Sequence, residues 1–490
     1  MPIKDLRDYL HALEDLGDLR RIADPVDPDL EAAAITRYST ENELPAPLFE
    51  NLAGVAAGFR VFGAPASHSS SARQRFARVS LALGLPLDAT AAQIVEHLVK
   101  ARTLAPVRPR LVAREDAPCK ENVLSGADAS FASFPIPRLH LHDGGRYVNS
   151  WGVVITKTPD GSWTNWAITR VMLLDDRRMV GLVLPSQQLG QIHRMWADIG
   201  QPMPYALVQG GHPGVPYVGG LPIPRGVDES GYLGALLGEP VDLVAAESVD
   251  LEVPATAEVV IEGTVSLERT EQEGPFGEYA GFMSAARSAQ PVFSVDVITH
   301  RDAPIWPIVP EGRPVDETHL VSGVGHSAQV TANLTAAGLP VTMAWLVPRT
   351  ASHWMFVTVD ENWRDRMPGV TSAELCHRIG EVLTTTPSGR IAAEVFVVDD
   401  DIDPANDRDV MWALGTRFHP SGRREEWHGP ILPLLASYSN EERQRGSGPV
   451  VVRDGLLAAA GEGRPVESSF ANSYPEAYRE RAKAVYQKQS

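Results

Sequence analysis

Between residues 153 and 184 the chain alternates apolar-rich runs with turn signals so short that neighbouring runs must fold back on one another. Residues 153–157 and 162–168 flank Pro159-Asp160-Gly161, and residues 171–174 and 179–184 flank Asp175-Asp176-Arg177. Loops of this length join antiparallel strands, because a parallel pair needs a crossover of a dozen residues or more. Residues 258–265 and 292–298 extend the count, the second with Phe293, Val295 and Val297 alternating at period two. One helix interrupts the series: Leu189, Ile192, Trp196 and Ile199, spaced by three, four and three, predict a buried stripe. An antiparallel barrel with an inserted helix follows.

The flanking regions read differently. Leu6, Leu10, Leu13 and Leu16 recur at helical spacing, and Asp27-Pro28-Asp29 opens a second helix, so residues 1–110 are expected to form a small α/β domain. The segment Ala105-Pro106-Val107-Arg108-Pro109-Arg110 links it to the barrel, assigned to residues 111–322. Leu375, Ile379 and Leu383 mark a helix and residues 391–398 a buried strand, predicting a second α/β domain over residues 323–460. Tyr474-Pro475 starts a final helix within residues 461–490, with proline in a tolerated first-turn position. The fold class is therefore α/β (α+β).

At 490 residues, with 43% hydrophobic and 22% charged residues, the chain can bury a large core without staples. Its net charge of −18 repels a nucleic-acid duplex or an anionic membrane at long range, and the runs Arg73-Gln74-Arg75 and Arg108-Pro109-Arg110 are too short to reverse that field. No apolar run reaches the roughly 18 residues of a membrane span, and no signal peptide is apparent, so neither nucleic-acid nor membrane partners are expected and the location is expected to be cytoplasmic. Cys119 and Cys376 are the only cysteines, which excludes a disulfide framework; Cys376 reads as a small buried hydrophobe.

Two stretches carry the chemistry: Thr164-Asn165-Trp166-Ala167-Ile168-Thr169-Arg170 and Glu273-Gly274-Pro275-Phe276-Gly277-Glu278. They offer one guanidinium, two carboxylates and a carboxamide, a set suited to proton transfer beside a bound anion. Extended chain would hold the two glutamates about 17 Å apart. Gly274-Pro275-Phe276-Gly277 supplies a turn that either brings both to one cleft or leaves two solvated acids on the surface. Arg170, at a predicted strand end, is either a bidentate carboxylate binder or a surface ion-pair partner. His140-Leu141-His142-Asp143-Gly144-Gly145 offers two imidazoles on alternate residues, the basis of an alternative reading as a metal-dependent hydrolase, although Asp143-Gly144-Gly145 is a turn signal and no third ligand follows.

These motifs, together with Gly219-Gly220-Leu221-Pro222-Ile223-Pro224 leading to Gly226-Val227-Asp228-Glu229, and Asp409-Val410-Met411-Trp412-Ala413, resemble the UbiD family over about residues 5 to 485. UbiD enzymes are decarboxylases that use prenylated FMN (prFMN), and the ferulic acid decarboxylase branch is the nearest in pattern. The resemblance implies a split, flavin-reductase-like barrel for the cofactor and a reversible, non-oxidative carboxy-lyase acting on an α,β-unsaturated or (hetero)aromatic carboxylic acid. Phenolic, indole, pyrrole and furan acids all fit. Such a reaction is slow because CO₂ leaves an electron pair in an sp² orbital with nowhere to delocalise, so the hard step belongs to a cofactor.

By the same resemblance Arg170 pairs with Glu273, and Glu278 is the proton donor, its pKa expected to be raised beside flavin rings and apolar walls. Asn165, Gln188 and Glu229 match the ligands of a divalent ion, manganese or magnesium, bridging to the cofactor phosphate. The family's third ligand is usually the histidine of a Gln-His pair, which here reads Gln187-Gln188. Backbone carbonyls of Trp166, Gly219 and Leu221 match a potassium site. Asn165, Trp166, Ile168, Thr169, Arg170, Gln187, Gln188, Gly220, Glu229 and Arg408 are the implied cofactor contacts, while His193 reads as structural. Specificity is assigned to residues 318–326, with Ser322 and His326, and to residues 418–434. The implied partners are carbon dioxide, a second copy of the chain in a homodimer or larger homo-oligomer built on the C-terminal domain and last helix, and a prenylated-flavin synthase as cofactor supplier. A flavin-binding or assembly protein that kept the fold and lost the chemistry is the alternative from another class.

Overall fold

The computed structural model describes residues 3–284, 287–459 and 461–487. At its centre a ten-stranded antiparallel sheet runs, in spatial order, through Tyr147–Asn149, Val171–Asp175, Arg178–Gly181, Ser288–Ser294, Val259–Glu273, Met203–Gln209, Val153–Lys157 and Thr164–Ala167, with Val297–His300 and Asn122–Ser125 attached at one side. The first and last strands of that order do not pair, so the sheet curls into an open half barrel. Both faces are covered. Val154, Leu207 and Ile261 point into one apolar cluster, and Val153, Ile155, Ala206 and Val208 into another. A sheet buried on both sides needs apolar residues at consecutive positions, which is why residues 153–157 show no polar alternation.

Three expectations for this region change in detail. The strand expected at 258–265 is Val259–Glu273, 15 residues long, with register shifts at Val265/Arg269 and Arg269/Glu271. Its second half, Ser-Leu-Glu-Arg-Thr-Glu-Gln-Glu, is mostly polar because it is half exposed, and so carries no apolar signal. The single strand expected at 292–298 is two, since the Val295 N–H turns to the Arg177 carbonyl (3.0 Å) before pairing resumes at Val297. The inserted helix Gln188–Asp198 buries Leu189 and Ile192, but it ends before Ile199, which lies 52% exposed just beyond the last turn.

The N-terminal region is not closed on itself. Helix Leu6–Asp15, capped by the Asp5 side chain on the Arg7 and Asp8 N–H groups, buries Leu6, Leu10 and Leu13 against a four-stranded sheet. That sheet is ordered Leu19–Ile22, Ala46–Phe49, Arg60–Gly63 and Ile305–Ile308, so its last strand comes from residues assigned to the barrel. Arg78, fully buried, joins Asp18 by two bonds of 2.8 Å and also reaches the Ser67 hydroxyl and the Ala64 and Leu44 carbonyls.

Helix Glu317–Ala336 carries the chain out of the barrel without a break, so residue 322, read as a domain boundary, lies inside it. Beyond it a five-stranded sheet is ordered Val341–Leu346, Trp354–Val359, Glu394–Asp399, Ser447–Asp454 and Arg424–Pro430. Helix Ser372–Thr385 packs on it through Leu375, Cys376, Ile379 and Leu383. The last helix, Glu476–Gln487, follows Pro475, and Tyr474, Tyr478 and Tyr486 near or on it are exposed. Among the described residues no helix is long and apolar enough to cross a membrane.

The Asp18–Arg78 pair makes a stability prediction. Replacing Arg78 by Met leaves a buried carboxylate without its cation, a change that costs roughly 3–5 kcal/mol. Thermal unfolding is expected to show a Tm lowered by several degrees; a Tm within a degree of wild type would show that the pair is not needed.

Candidate active site

Arg170 lies in the three residues between strands Thr164–Ala167 and Val171–Asp175, not at a strand end. Its carbonyl accepts the Leu182 N–H (3.1 Å), and the preceding Thr169 is held by its hydroxyl on the Leu182 carbonyl (2.6 Å) and by Asn149 on its own carbonyl (2.8 Å). The backbone is therefore fixed from both sides while the side chain projects away. Glu273 ends the long strand. Glu278 follows Phe276–Gly277, which pairs with Met283–Ser284 as a short hairpin, and its N–H bonds the Phe282 carbonyl.

The turn expected at residues 274–277 is instead an irregular Gly274-Pro275 followed by the short strand Phe276–Gly277, with the hairpin turn after Glu278, and this path brings both glutamates to one guanidinium. Arg170 Nε donates to Glu273 Oε1 (2.8 Å) and Nη2 to Glu273 Oε2 (3.1 Å), while Nη1 donates to Glu278 Oε1 (2.7 Å). Glu273 is 1% exposed, Arg170 16% and Glu278 11%, so the group lies just inside an opening. The Tyr147 hydroxyl donates to Glu273 Oε1 (2.9 Å), and the Arg170 guanidinium lies 4.8 Å from the Phe276 ring centroid. Burial works against the Arg170 charge, but the Glu273 hydrogen bonds and both carboxylate charges outweigh it and hold its pKa above the usual arginine value. Burial and the Glu273 charge likewise push the Tyr147 phenol up, so it stays a donor. The apolar surroundings expected for Glu278 are not what it meets: its carboxylate is ion-paired to Arg170.

The His140–Gly145 segment is not a metal centre. His140 Nδ1 faces the Asp143 carboxylate (3.1 Å) and Nε2 the Glu311 carbonyl (2.7 Å), which occupies both ring nitrogens, and His142 is exposed in the turn. Among the described residues no three His, Cys, Asp or Glu side chains converge as ligands. The segment instead cradles the glutamate hairpin: Asp143 accepts the Gly277 N–H (3.1 Å), and the Gly144 N–H bonds the Pro275 carbonyl (2.8 Å). A side chain on Gly144 would collide with the Gly274 carbonyl, so only glycine permits this approach.

A second group forms around Asn165. Its amide nitrogen lies 2.9 Å from Gln188 Oε1 and 2.8 Å from Glu229 Oε1, while Glu229 Oε2 accepts the Trp166 N–H (2.8 Å). Strand alternation places Asn165 opposite Thr156 and Trp166 opposite Ile155. Glu229 is 2% exposed and, with no cation beside it, burial pushes its carboxyl up to about 8. Asn165 Oδ1 is buried without a donor. Two acceptor oxygens converging on one point, an orphaned third and an uncompensated acid are what a divalent ion would satisfy, so these residues fit one. The Gly219 carbonyl accepts the Ile168 N–H (3.2 Å) and the Leu221 carbonyl the Ile223 N–H (2.8 Å), leaving each one lone pair. The N–H groups of Thr169 and Arg170 have no protein partner among the described residues.

Other expected residues are placed elsewhere. Gln187 precedes helix Gln188–Asp198 and is exposed, and Gly220 packs against Val321 and Ile168. Arg408 is exposed on helix Asp407–Thr416 with no side-chain partner among the described residues, so the structure does not join it to either group. Residues 424–430 of the segment 418–434 form an edge strand whose Trp427 packs on helix Ser372–Thr385, away from Arg170. Ser322 and His326 share one half-buried stripe of helix Glu317–Ala336 with Thr318, and His326 Nδ1 faces the Ser322 carbonyl (2.8 Å). His193 is bonded to the Ser266 carbonyl (2.8 Å), a structural role. The residues that sequence reasoning missed are Tyr147, Asp143 and Glu311. Tyr147 sits in a three-residue strand and Glu311 between Pro310 and Gly312, contexts with no periodic signal.

Comparisons with known families give the class of the chain. Three models of the 3-octaprenyl-4-hydroxybenzoate carboxy-lyase match in order: the N-terminal domain at residues 10–98, the Rift-related domain at 110–314 and the C-terminal domain at 319–427. The chain belongs to the UbiD family. It is 37% identical to the pyrrole-2-carboxylic acid decarboxylase of Pseudomonas aeruginosa over 97% of this chain and 96% of that one. It is 36% identical to ferulic acid decarboxylase 1 of Saccharomyces cerevisiae over 91% and 90%. The UbiD-class enzyme HmfF from Pelotomaculum thermopropionicum, solved in complex with FMN, superposes with a TM-score of 0.82 at 26% identity, covering 97% of this chain and 99% of that one. An evolved dimeric form of HmfF in complex with prFMN gives 0.79 at 25% identity, with the same coverage. The protein is therefore a carboxy-lyase.

The Asn165 group makes a binding prediction. Glu229→Gln removes the one carboxylate of the group, and, if these residues hold the ion, Mn²⁺ affinity measured calorimetrically on the flavin-loaded protein is expected to fall about 10- to 100-fold. Unchanged affinity would place the ion elsewhere.

Proposed function

We propose that the protein is a reversible, non-oxidative decarboxylase of an α,β-unsaturated or (hetero)aromatic carboxylic acid, with prenylated FMN as its resident cofactor. The observation that carries this reading is the single guanidinium shared by Glu273 and Glu278. The names of the relatives support it, two of them decarboxylases of such acids, as do the FMN and prFMN held by HmfF. When bound, the cofactor supplies the electron sink that protein side chains lack.

The residues act as follows in this reading. Of the five N–H donors of Arg170 three are engaged, leaving one on each terminal nitrogen to orient the substrate carboxylate. Glu273, itself held by Tyr147, keeps the guanidinium in place. Glu278 delivers the proton to the carbon that loses CO₂ and, in the carboxylation direction, takes it back. Asn165, Gln188 and Glu229 would hold Mn²⁺ or Mg²⁺, whose charge would offset that of the buried glutamate and of a flavin phosphate. Carbonyls of Trp166, Gly219 and Leu221 would hold K⁺, and the N–H groups of Thr169 and Arg170 would be available to the flavin. A second copy of the chain covers the exposed aromatic residues Phe470, Tyr474 and Tyr478, giving a homodimer, and a prenylated-flavin synthase supplies the cofactor.

Glu278→Gln keeps the shape of the site and removes its transferable proton. Protein co-produced with a prenylated-flavin synthase is expected to keep its flavin absorbance while kcat/KM on a panel of aromatic and cinnamic acids falls by about 10²–10⁴. Turnover within a few-fold of wild type would remove Glu278 from the chemistry, and a coloured wild-type protein that turns over no acid would remove the decarboxylase reading.

A further inference from the structure

The loop that carries Glu311 packs beside the hairpin that carries Glu278. The His140 ring stands between them: its Nε2 faces the Glu311 carbonyl at 2.7 Å, and a β-carbon on Gly277 would lie 2.6 Å from its Nδ1. Three residues past Glu278, a β-carbon on Gly281 would lie 3.4 Å from the Arg313 Cα. One oxygen of the Glu311 carboxyl accepts the Thr318 hydroxyl, and the other has no protein partner among the described residues. The side chain is partly accessible, as are Arg170 and Glu278.

The charges around Glu311 are unbalanced. Asp316 and Glu278 face it with negative charge, Tyr279 is a neutral phenol, and of the nearby cations Arg170 is engaged by Glu273 and Glu278, while Arg37, which reaches the Pro310 carbonyl, is engaged by Glu41 and Asp316. Asp316 Oδ2 has its own partners, Arg37 Nη1 at 3.3 Å and the Gly312 N–H at 3.0 Å. Burial first, then the charges of Asp316 and Glu278, push the Glu311 carboxyl up to about 8, so at neutral pH it holds a proton.

Decarboxylation consumes one proton per turnover: the carboxylate R–COO⁻ and H⁺ become R–H and CO₂. Glu278, the donor in this reading, gives up its proton in each turnover and must be reloaded before the next. We propose that Glu311 is the acid that reloads Glu278. The Glu311 O–H bond breaks as an O–H bond forms on Glu278, directly or through one water. That bond breaks in turn as the new C–H bond forms with the electron pair left by CO₂, and Glu311 then takes a proton from solvent. Glu311 is thus a relay residue, and its assignment rests on Glu278 being the donor.

The test combines an infrared titration with kinetics on the full-length, flavin-loaded protein. The difference between wild type and Glu311→Gln is expected to contain one protonated carboxyl that ionises with a midpoint of about 8. In Glu278→Gln that midpoint is expected to fall by about one unit, because a like charge has gone. In Glu311→Gln kcat is expected to fall about 10- to 100-fold with KM changed less than about twofold, and the loss of kcat as pH rises through about 8 should disappear. A Glu311 carboxyl ionising in the ordinary glutamate range, a midpoint that does not move in Glu278→Gln, or a Glu311→Gln variant with wild-type kcat and pH profile would each overturn the relay. If the wild type turns over no acid while the infrared coupling persists, the decarboxylase reading falls and the relay with it, and the intact coupling distinguishes that failure from the others.

Discussion

One guanidinium answering two carboxylates is the interaction on which the site depends. Arg170 is buried enough that its charge needs compensation, and the two acids reach it from one strand end and the hairpin that follows. Neither acid stays buried at low cost without the guanidinium, and the guanidinium is not fixed without both. The surrounding structure serves that arrangement: residues 168–170 are pinned through Leu182 and Asn149, Glu273 through Tyr147, and the hairpin through Asp143 and Gly144. Counted formally, one guanidinium and two carboxylates leave one excess negative charge on the group.

The second polar group lies five residues earlier in the chain and has no side-chain cation among the described residues. Around Asn165 an acid and two amides share hydrogen bonds that leave one oxygen orphaned and one carboxyl uncompensated. In the Arg170 group both carboxylates are answered by protein, whereas the Asn165 group leaves an oxygen and an acid unanswered, as a cation site would. Because both hang from residues 164–170, any ligand bridging them is held in one orientation relative to Glu278, and orientation is the protein's main contribution when a cofactor performs the hard step.

Much of this was legible in the chain because it rests on short-range rules. The hairpin signals at Pro159-Asp160-Gly161 and Asp175-Asp176-Arg177 and the helical spacing of Leu375, Ile379 and Leu383 are local, and each appears in the structure; the turn expected at residues 274–277 falls after Glu278 instead. What was not legible depends on distant pairing. Strand Ile305–Ile308 joins the N-terminal sheet from 245 residues beyond its partner strand's start at Arg60, and nothing local marks it. The outer half of Val259–Glu273 is a polar strand stabilised by its neighbour. Glu311 stands in a loop, and burial, then the charges of Asp316 and Glu278, make its carboxyl unusual. The His140–Gly145 run was misleading for the converse reason: its residue types suit a metal, but hydrogen bonds to Asp143 and Glu311 use them up.

The central claim, that Arg170 and Glu278 work as one unit, is tested most directly by a double-mutant cycle on kcat/KM with Arg170→Met and Glu278→Gln. Residues that act together lose little more in combination than in the worse single variant, and the account predicts that outcome. Losses that multiply, as for independent sites, would contradict it.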